Sequence, residues 1–132
     1  MGNGNCLFNN KNKNKNEIKN GVYVFKNVLY SDNLTKCSRV EVWHENELIT
    51  INFITTSEQI LVATFIFFNN ALIKSIKHDK EQGIVRIDRY LNDKYNGMTV
   101  IKRNGLVFQE KVFSNGELLE TFSYNERGLL IT

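Results

Sequence analysis

Short apolar runs separated by asparagine–glycine pairs are the feature that most restricts how this chain can fold. The pairs stand at 20–21, 96–97, 104–105 and 115–116. Asn-Gly suits a type I′ turn, because both central residues of that turn need a positive φ, which asparagine tolerates and glycine adopts freely. Type I′ turns join adjacent antiparallel strands. The pattern therefore predicts an all-β chain, folded as a meander of antiparallel hairpins.

Up to ten short strands are predicted from the runs of β-branched, aromatic and aliphatic residues between polar turns. They cover 22–30, 36–43, 47–55, 59–68, 71–77, 84–91, 98–103, 106–113, 117–124 and 129–132. A small up-and-down barrel or strongly curled sheet fits this series, because closure removes the edges that a long meander exposes. A two-sheet sandwich is the alternative architecture.

The run at 59–68 is apolar on both of its faces. Thr55 and Glu58 stand in the spacing of a helix capping box, but Ile60, Val62 and the phenylalanines that follow favour a strand. A strand of this kind must be covered on both sides. Either a closed barrel with something outside it or a partner chain would do so, and a homodimer through 59–68 is one hypothesis.

The first twenty residues differ in composition from the rest. They contain four lysines and one glutamate, so the net charge of +3 resides here and residues 21–132 sum to zero. The asparagine–lysine alternation predicts a disordered tail over 1–20, followed by a single β domain over 21–132. Because the basicity lies on a flexible arm and not on a folded face, nucleic acid is not an expected partner.

The N-terminus carries an acylation signal. Gly2 follows the initiator methionine, and the start approximates the M-G-x-x-x-[ST] myristoylation pattern, with Cys6 in place of the hydroxyl residue. Cys6 is in turn a candidate for palmitoylation. One acyl chain binds a membrane weakly and needs a second signal. The palmitate or the basic residues would supply it; these are Lys11, Lys13, Lys15 and Lys19.

Four charged residues fall on otherwise apolar faces of predicted strands: Arg86, Asp88, Glu110 and Glu120. Burying a charge costs several kcal/mol unless it is paired. These side chains must therefore reach water at strand ends, pair with one another, or line a wet cavity. The last arrangement would make the protein a ligand-binding barrel.

No catalytic or metal-binding pattern is recognised. His44 beside Glu45, and His78 beside Asp79, are interpreted as polar turn residues, and Cys37 as a half-buried structural cysteine. Two cysteines make no disulfide framework or zinc site, which favours a reducing, intracellular compartment. We therefore expect no enzyme activity, no metal and no cofactor.

The C-terminal third has a repeat-like rhythm. The run YNERGLL at 124–130 resembles the Y-D-x-x-G-R-L turn of YD-type hairpin repeats, with Asn125 replacing the aspartate and Leu129 the arginine. The glycine-punctuated hairpins before it are similar to those of MORN-type proteins. Over about 30 residues, this resemblance implies a hairpin array with a scaffold or interaction role.

The first functional hypothesis is a non-catalytic β domain that binds an unknown protein partner. Its acylated, basic tail would hold it at the cytoplasmic face of a membrane; without acylation it would be cytoplasmic. The alternatives are a soluble barrel that binds a small apolar ligand, with Arg86, Glu110 or Glu120 at its cavity, and a small inhibitor or immunity-type protein.

Overall fold

The computed structural model describes the backbone of residues 4–6 and all atoms of residues 18–131. All regular structure in these residues is β-strand, and every strand pairs antiparallel with its neighbours. The strands are β1 Gly4–Cys6, β2 Gly21–Leu29, β3 Lys36–His44, β4 Glu47–Thr55, β5 Leu61–Phe68, β6 Ala71–Asp79, β7 Ile84–Leu91, β8 Lys94–Tyr95, β9 Gly97–Arg103, β10 Leu106–Ser114 and β11 Glu117–Ser123. The predicted all-β antiparallel meander is confirmed.

The chain divides into two compact units, Met1–Asn70 and Ala71–Thr132. The sequence predicted one domain over 21–132, and the division falls inside it. The strand order is β1-β2-β3-β4-β5 in unit 1 and β6-β7-β9-β10-β11 in unit 2, where β8 pairs with β7 alone. Among the described residues, the first and last strands of each unit do not pair with each other, so each unit is an open meander.

In unit 1 the buried residues share one face of the sheet. Tyr23, Glu41 and Ile51 stand side by side in register across β2, β3 and β4, and each is less than a tenth exposed. Cys37 and Ala63 are completely buried on the same face. This face therefore combines aromatic and aliphatic packing with one buried carboxylate.

Unit 2 has a polar centre. Its fully buried side chains, among the residues described, are Ser75, Asp88 and Thr99. Ser75 pairs in register with Asp88, and the side chains of Thr99 and Asp88 are hydrogen-bonded, so the three share one face. Buried polar groups are stable only when they are hydrogen-bonded. The side chains around Asp88 must therefore satisfy one another.

The four Asn-Gly pairs have two different roles. Asn104–Gly105 and Asn115–Gly116 have positive φ at both residues and form two-residue hairpin turns, as predicted. At 20–21 and 96–97, only the glycine has a positive φ. Two further pairs, Glu45–Asn46 and Asn92–Asp93, contain no glycine. They also have positive φ at both residues and form two-residue turns, one in each unit.

Asn20 and Asn96 hold neighbouring hairpin turns instead of making their own. The Asn20 Oδ1 accepts a hydrogen bond from Glu45 N (3.3 Å), and the Asn96 Oδ1 accepts one from Asn115 N (2.9 Å). In each case the preceding carbonyl, of Lys19 or Tyr95, accepts from the next turn residue at 2.8 Å. The same two-bond clamp thus occurs once in each unit.

Several strand bounds differ from the predicted ones by one or two residues, and three departures from the prediction have a local explanation. Gln59 has a φ of 58° and lies in a turn in which the Thr55 Oγ1 accepts a hydrogen bond from Ile60 N, so β5 begins at Leu61 and no helix forms. The predicted strand at 129–132 is wrong over its described part, which makes one isolated bridge, between Leu130 and Tyr124. Strand β8 was not predicted because two residues show no periodicity.

Candidate functional site

A five-residue pattern occurs on β3 and again on β7. Each copy reads arginine, an aliphatic residue, an acidic residue, any residue and an aromatic residue. The copies begin at Arg39 and at Arg86. Because alternate residues of a strand point to one face, the arginine, the acid and the aromatic residue share that face. Each copy is followed, after one further residue, by a turn with two positive φ values, at 45–46 and at 92–93.

In unit 2, the carboxylate of Asp88 is fully buried and accepts from two side chains. The Arg86 Nε lies 3.0 Å from Oδ2 and 3.2 Å from Oδ1, and the Thr99 hydroxyl donates to Oδ1 at 2.7 Å. Next to it, the Ser75 and Tyr90 hydroxyls are 2.9 Å apart and hydrogen-bonded. These bonds supply the partners that burial requires.

The Arg86 side chain is one-third exposed and is held in place from two directions. Its Cζ lies 5.7 Å from the centroid of the Tyr95 ring, which in turn contacts the rings of Tyr90 and Phe113. Desolvation lowers the pKa of Arg86, but the hydrogen bond and the charge of Asp88 outweigh it and raise the pKa above its ordinary value. Arg86 is therefore a permanent, positioned cation.

Asp88 bonds only one edge of this guanidinium. Within residues 18–131, no acceptor is hydrogen-bonded to the two terminal nitrogens, Nη1 and Nη2, of Arg86. The two terminal nitrogens of a guanidinium lie in one plane, so they can donate two parallel hydrogen bonds to the two oxygens of a carboxylate. The arrangement can therefore receive a second carboxylate while Asp88 keeps the first edge.

Unit 1 contains a similar arginine–acid pair, formed by Arg39 and Glu41, in which the additional donor to the carboxylate is Trp43. The Arg39 Nη2 lies 2.6 Å from the Glu41 Oε2, and Trp43 Nε1 donates to Oε1 at 2.8 Å. The Glu41 side chain is 6% exposed and that of Arg39 is 39% exposed, close to the values for the pair in unit 2. The Arg39 Cζ lies 5.9 Å from the ring centroid of Phe25.

A cleft of about 300 Å³ lies beside this second pair and is lined by Phe25, Val28, Arg39 and Glu41. The Arg39 Nε is buried and has no hydrogen-bond partner among the described residues. A buried donor without an acceptor costs roughly 1–3 kcal/mol. Unit 1 thus retains one unsatisfied donor at its arginine.

No family model, no curated protein and no solved structure matches this chain. The resemblance to YD-type and MORN-type hairpins therefore remains a prediction from the sequence.

The structure brings two of the four predicted strand charges together. Arg86 and Asp88 form the pair described above. Glu110 lies on the opposite face, because Gln109, and not Glu110, is in register with Ile101 and through it with Arg86. Its partner is the Tyr124 hydroxyl, and this bond, followed by burial, raises the pKa of Tyr124.

Glu120 is exposed and pairs in register with Val112, on the same face as Glu110. The cleft of about 300 Å³ in unit 1 and one of about 310 Å³ in unit 2 are lined by other residues; the second includes Arg103, Phe108 and Tyr124. The predicted set of four is therefore divided between two faces of unit 2.

Of the predicted tail residues, Gly2, Lys11, Lys13 and Lys15 lie outside the described residues. Cys6 is the last residue of β1 and pairs in register with Tyr23. Lys19 is held by unit 1: its backbone N–H donates to Asn46 Oδ1 at 2.7 Å, and its Nζ lies 4.2 Å from the centroid of the Trp43 ring.

The other polar residues noted in the sequence lie apart. His44 is exposed, with its Nε2 3.7 Å from a Glu45 carboxylate oxygen; His78 pairs with Val85 in β6. Residues 18–131 contain no group of three or more acidic, histidine or cysteine side chains arranged for a metal. None of the described residues belongs to a helix long and apolar enough to cross a membrane.

Sequence reasoning missed the pair at Arg39 and Glu41 with its donor Trp43, and it also missed Thr99 as a donor to Asp88. The signal was the internal repeat, since the same arginine–acid–aromatic spacing stands at 39–43 and 86–90. Each copy alone resembles an ordinary alternating strand. Only their comparison singles out Arg39, Glu41 and Trp43, whereas Thr99 lies on β9, outside both copies.

Proposed function

We propose that this protein is a non-catalytic interaction module in which Arg86 binds an acidic side chain of a protein partner. The observation that carries the proposal is the guanidinium of Arg86, held by the buried Asp88 on one edge and by the Tyr95 ring on its face, with its terminal nitrogens free of acceptors in the described residues. Arginine and aromatic residues dominate the energetics of protein interfaces.

The charge of the surrounding face supports an acidic partner. Lys77 pairs in register with Arg86, and Lys111 with Thr99, so both lysines share the face of Asp88. This face carries four positive charges, on Lys77, Arg86, Arg103 and Lys111, against the two carboxylates of Asp79 and Asp88. An acidic partner surface is complementary to this net charge, which would also accelerate association.

Preorganisation is the physical advantage of the buried pair. An exposed arginine loses side-chain entropy when it binds, at about 0.5–1.5 kcal/mol for an immobilised flexible side chain. Asp88 and Tyr95 already restrain Arg86 in the free protein. Much of that loss has therefore been incurred on folding.

A peptide titration tests this role. Fluorescein-labelled hexaglutamate serves as the acidic probe, and binding is followed by fluorescence anisotropy. Arg86→Lys keeps the charge but removes the planar fork, so we expect affinity to fall about tenfold, the loss of ~1.4 kcal/mol. Arg89→Lys is the matched control three residues further along β7, where the side chain points to the other face. Equal effects of both substitutions would reject the site.

The membrane tether belongs to the same proposal. Gly2 and Cys6 would carry the acyl chains and the lysines of the tail would add electrostatic attraction to an anionic leaflet. The support comes from the sequence motif. In this arrangement the module presents its arginine face to partners close to the membrane surface.

A small-ligand function is the second candidate, and the cleft of unit 1 favours it. The unpartnered Arg39 Nε and the Phe25 ring together suit an aromatic carboxylate. Benzoate is the simplest probe. Binding should shift the Arg39 Hε resonance in a ¹⁵N-resolved NMR titration, whereas an unchanged resonance at saturating benzoate would exclude this site.

A further inference from the structure

The outer edge of β11 is a second surface of unit 2 and is separate from the arginine face. β11 ends the strand order of this unit and pairs with β10 on one side. On the other side, Ile131 N donates to Ser123 O at 2.8 Å, next to the bridge between Tyr124 and Leu130. Among the described residues, no strand lies beside the part of this edge that precedes Ser123.

The backbone of this edge is oriented for strand addition. Because the Ser123 carbonyl points away from β10, the alternation of an antiparallel strand also points the N–H and C=O of Thr121 outward. Natural sheets protect such edges with lysine, proline or a covering segment. β11 contains neither lysine nor proline, and it exposes Leu118 (48%) and Leu119 (58%).

The charge of the edge indicates what would pair with it. Glu117 and Glu120 are in register with Ser114 and Val112, which puts both carboxylates on one face beside the free edge. Glu126 follows, and no lysine or arginine occurs from 117 to 126. An added strand that placed basic side chains on this face would make opposite-charge cross-strand pairs.

We infer that the β11 edge binds an extended basic peptide segment of another protein, which adds to unit 2 as a further strand. Main-chain hydrogen bonds at Thr121 provide affinity, and the glutamates select lysine or arginine at alternate positions of the peptide. A second copy of β11 is a poorer occupant, because it would bring its own glutamates to the same acidic edge. This surface is independent of the Arg86 site.

Anisotropy titration with two fluorescein-labelled nonapeptides tests the inference. One alternates lysine with valine and the other alternates glutamate with valine. We expect the lysine peptide to bind and the glutamate peptide not to bind. Failure of the lysine peptide to bind, or equal binding of both peptides, would overturn the proposal.

Charge reversal then locates the site. Glu120→Lys should weaken binding of the lysine peptide about tenfold, because an attractive cross-strand pair becomes a repulsive one. Glu81→Lys makes the same change in net charge on an exposed loop of unit 2 and should leave affinity within about twofold. If Glu81→Lys weakens binding equally, the attraction is not specific to β11 and the inference fails.

Blocking the backbone separates strand addition from charge attraction. Thr121→Pro removes an outward N–H, a change that edge strands accommodate, and should abolish binding while the circular dichroism spectrum is retained. Unchanged binding by this variant contradicts strand addition. If Thr121→Pro does not fold, the comparison of Glu120→Lys with Glu81→Lys decides the question. A wild-type dimer in light scattering, without peptide binding, would assign the edge to a second copy and overturn the inference.

Discussion

The carboxylate of Asp88 determines the local packing of unit 2 at the level of single residues. It is fully buried, so its charge is tolerated only because Arg86 and Thr99 both donate to it. Replacing such a pair by apolar groups is often neutral, whereas removing one partner is costly. The pair is therefore better explained as a device that positions Arg86 than as a source of stability.

Asp88→Ala should lower the free energy of unfolding by about 2–3 kcal/mol, because it leaves the Arg86 Nε and the Thr99 hydroxyl without an acceptor. The measurement is urea denaturation followed by circular dichroism. Glu81→Ala, at an exposed loop position, should change it by less than ~0.5 kcal/mol.

The double variant Arg86→Met/Asp88→Leu sharpens this prediction. It removes both charges and places an apolar side chain at the buried position, so it should be more stable than Asp88→Ala while losing the hexaglutamate binding of the wild type. If the single variant proves as stable as the wild type, Asp88 is not desolvated in solution as it is in the structure.

The Cys37 thiol is completely buried, and burial, followed by the charge of Asp32, raises its pKa. Both effects reduce the thiolate available to an alkylating reagent, so the thiol should react only when the surrounding strands open. In a Cys6→Ser background, iodoacetamide at pH 8 should modify Cys37 about a hundredfold more slowly than in 8 M urea, as an opening free energy of ~3 kcal/mol requires. Equal rates would show that β3 is open.

At the level of elements, one dipeptide performs two tasks. Asn-Gly makes the hairpin turns at 104–105 and 115–116, and at 20–21 and 96–97 it clamps a neighbouring turn through the asparagine side chain. In each unit, the clamp provides acceptors for the N–H groups of both residues of the neighbouring turn. Hairpin tips are therefore tied to the start of an adjacent strand in both units.

The turn between β3 and β4 contains a residue in a strained backbone conformation, and a substitution can relieve that strain. Glu45 has a φ of 46°, a left-handed conformation that costs a residue with a Cβ roughly 1–2 kcal/mol and glycine nothing. Glu45→Gly should therefore raise the free energy of unfolding by about 1 kcal/mol in thermal or urea denaturation. Its ion pair with His44 is exposed on both sides and contributes little.

Glu47→Gly is the matched control two residues later, at the first position of β4. Glycine in a strand loses more backbone entropy on folding than other residues, so this variant should be destabilised by roughly 0.5–1 kcal/mol. Destabilisation of both variants would mean that the turn does not hold Glu45 in the left-handed region in solution.

For the molecule as a whole, the two units share a design although their centres differ. Each has an arginine–acid–aromatic strand, a following turn with two positive φ values and an Asn-Gly clamp. Unit 1 packs Tyr23 and Ile51 at its centre, and unit 2 packs polar residues. The repeat places one restrained arginine on a face of each unit.

The proposed tether makes a prediction at this scale. Expressed in eukaryotic cells, the wild-type protein should sediment with membranes, and Gly2→Ala should move it to the soluble fraction because only an N-terminal glycine accepts myristate. Cys6→Ser should weaken membrane association while an intact-mass gain matching myristate persists. Unchanged fractionation of Gly2→Ala would reject the tether.

The sequence alone determined the strand content and most strand positions. Alternating β-branched and aromatic runs between asparagine-rich turns specify strands through local sterics, which do not depend on distant residues. It also located Arg86 and Asp88 on one face, because two residues of the same regular strand separated by one position must share it.

Tertiary structure decided which faces of different strands coincide. Pairing or a shared cavity with Arg86 was one of the alternatives that the sequence left open for Glu110, and the register shift between Val107 and Gln109 places Glu110 on the opposite face. A one-residue shift reverses every side chain beyond it, and whether a bulge forms depends on the partner strand. For the same reason, the roles of the four Asn-Gly pairs became visible only in the fold, since a clamp needs a turn that another part of the chain supplies.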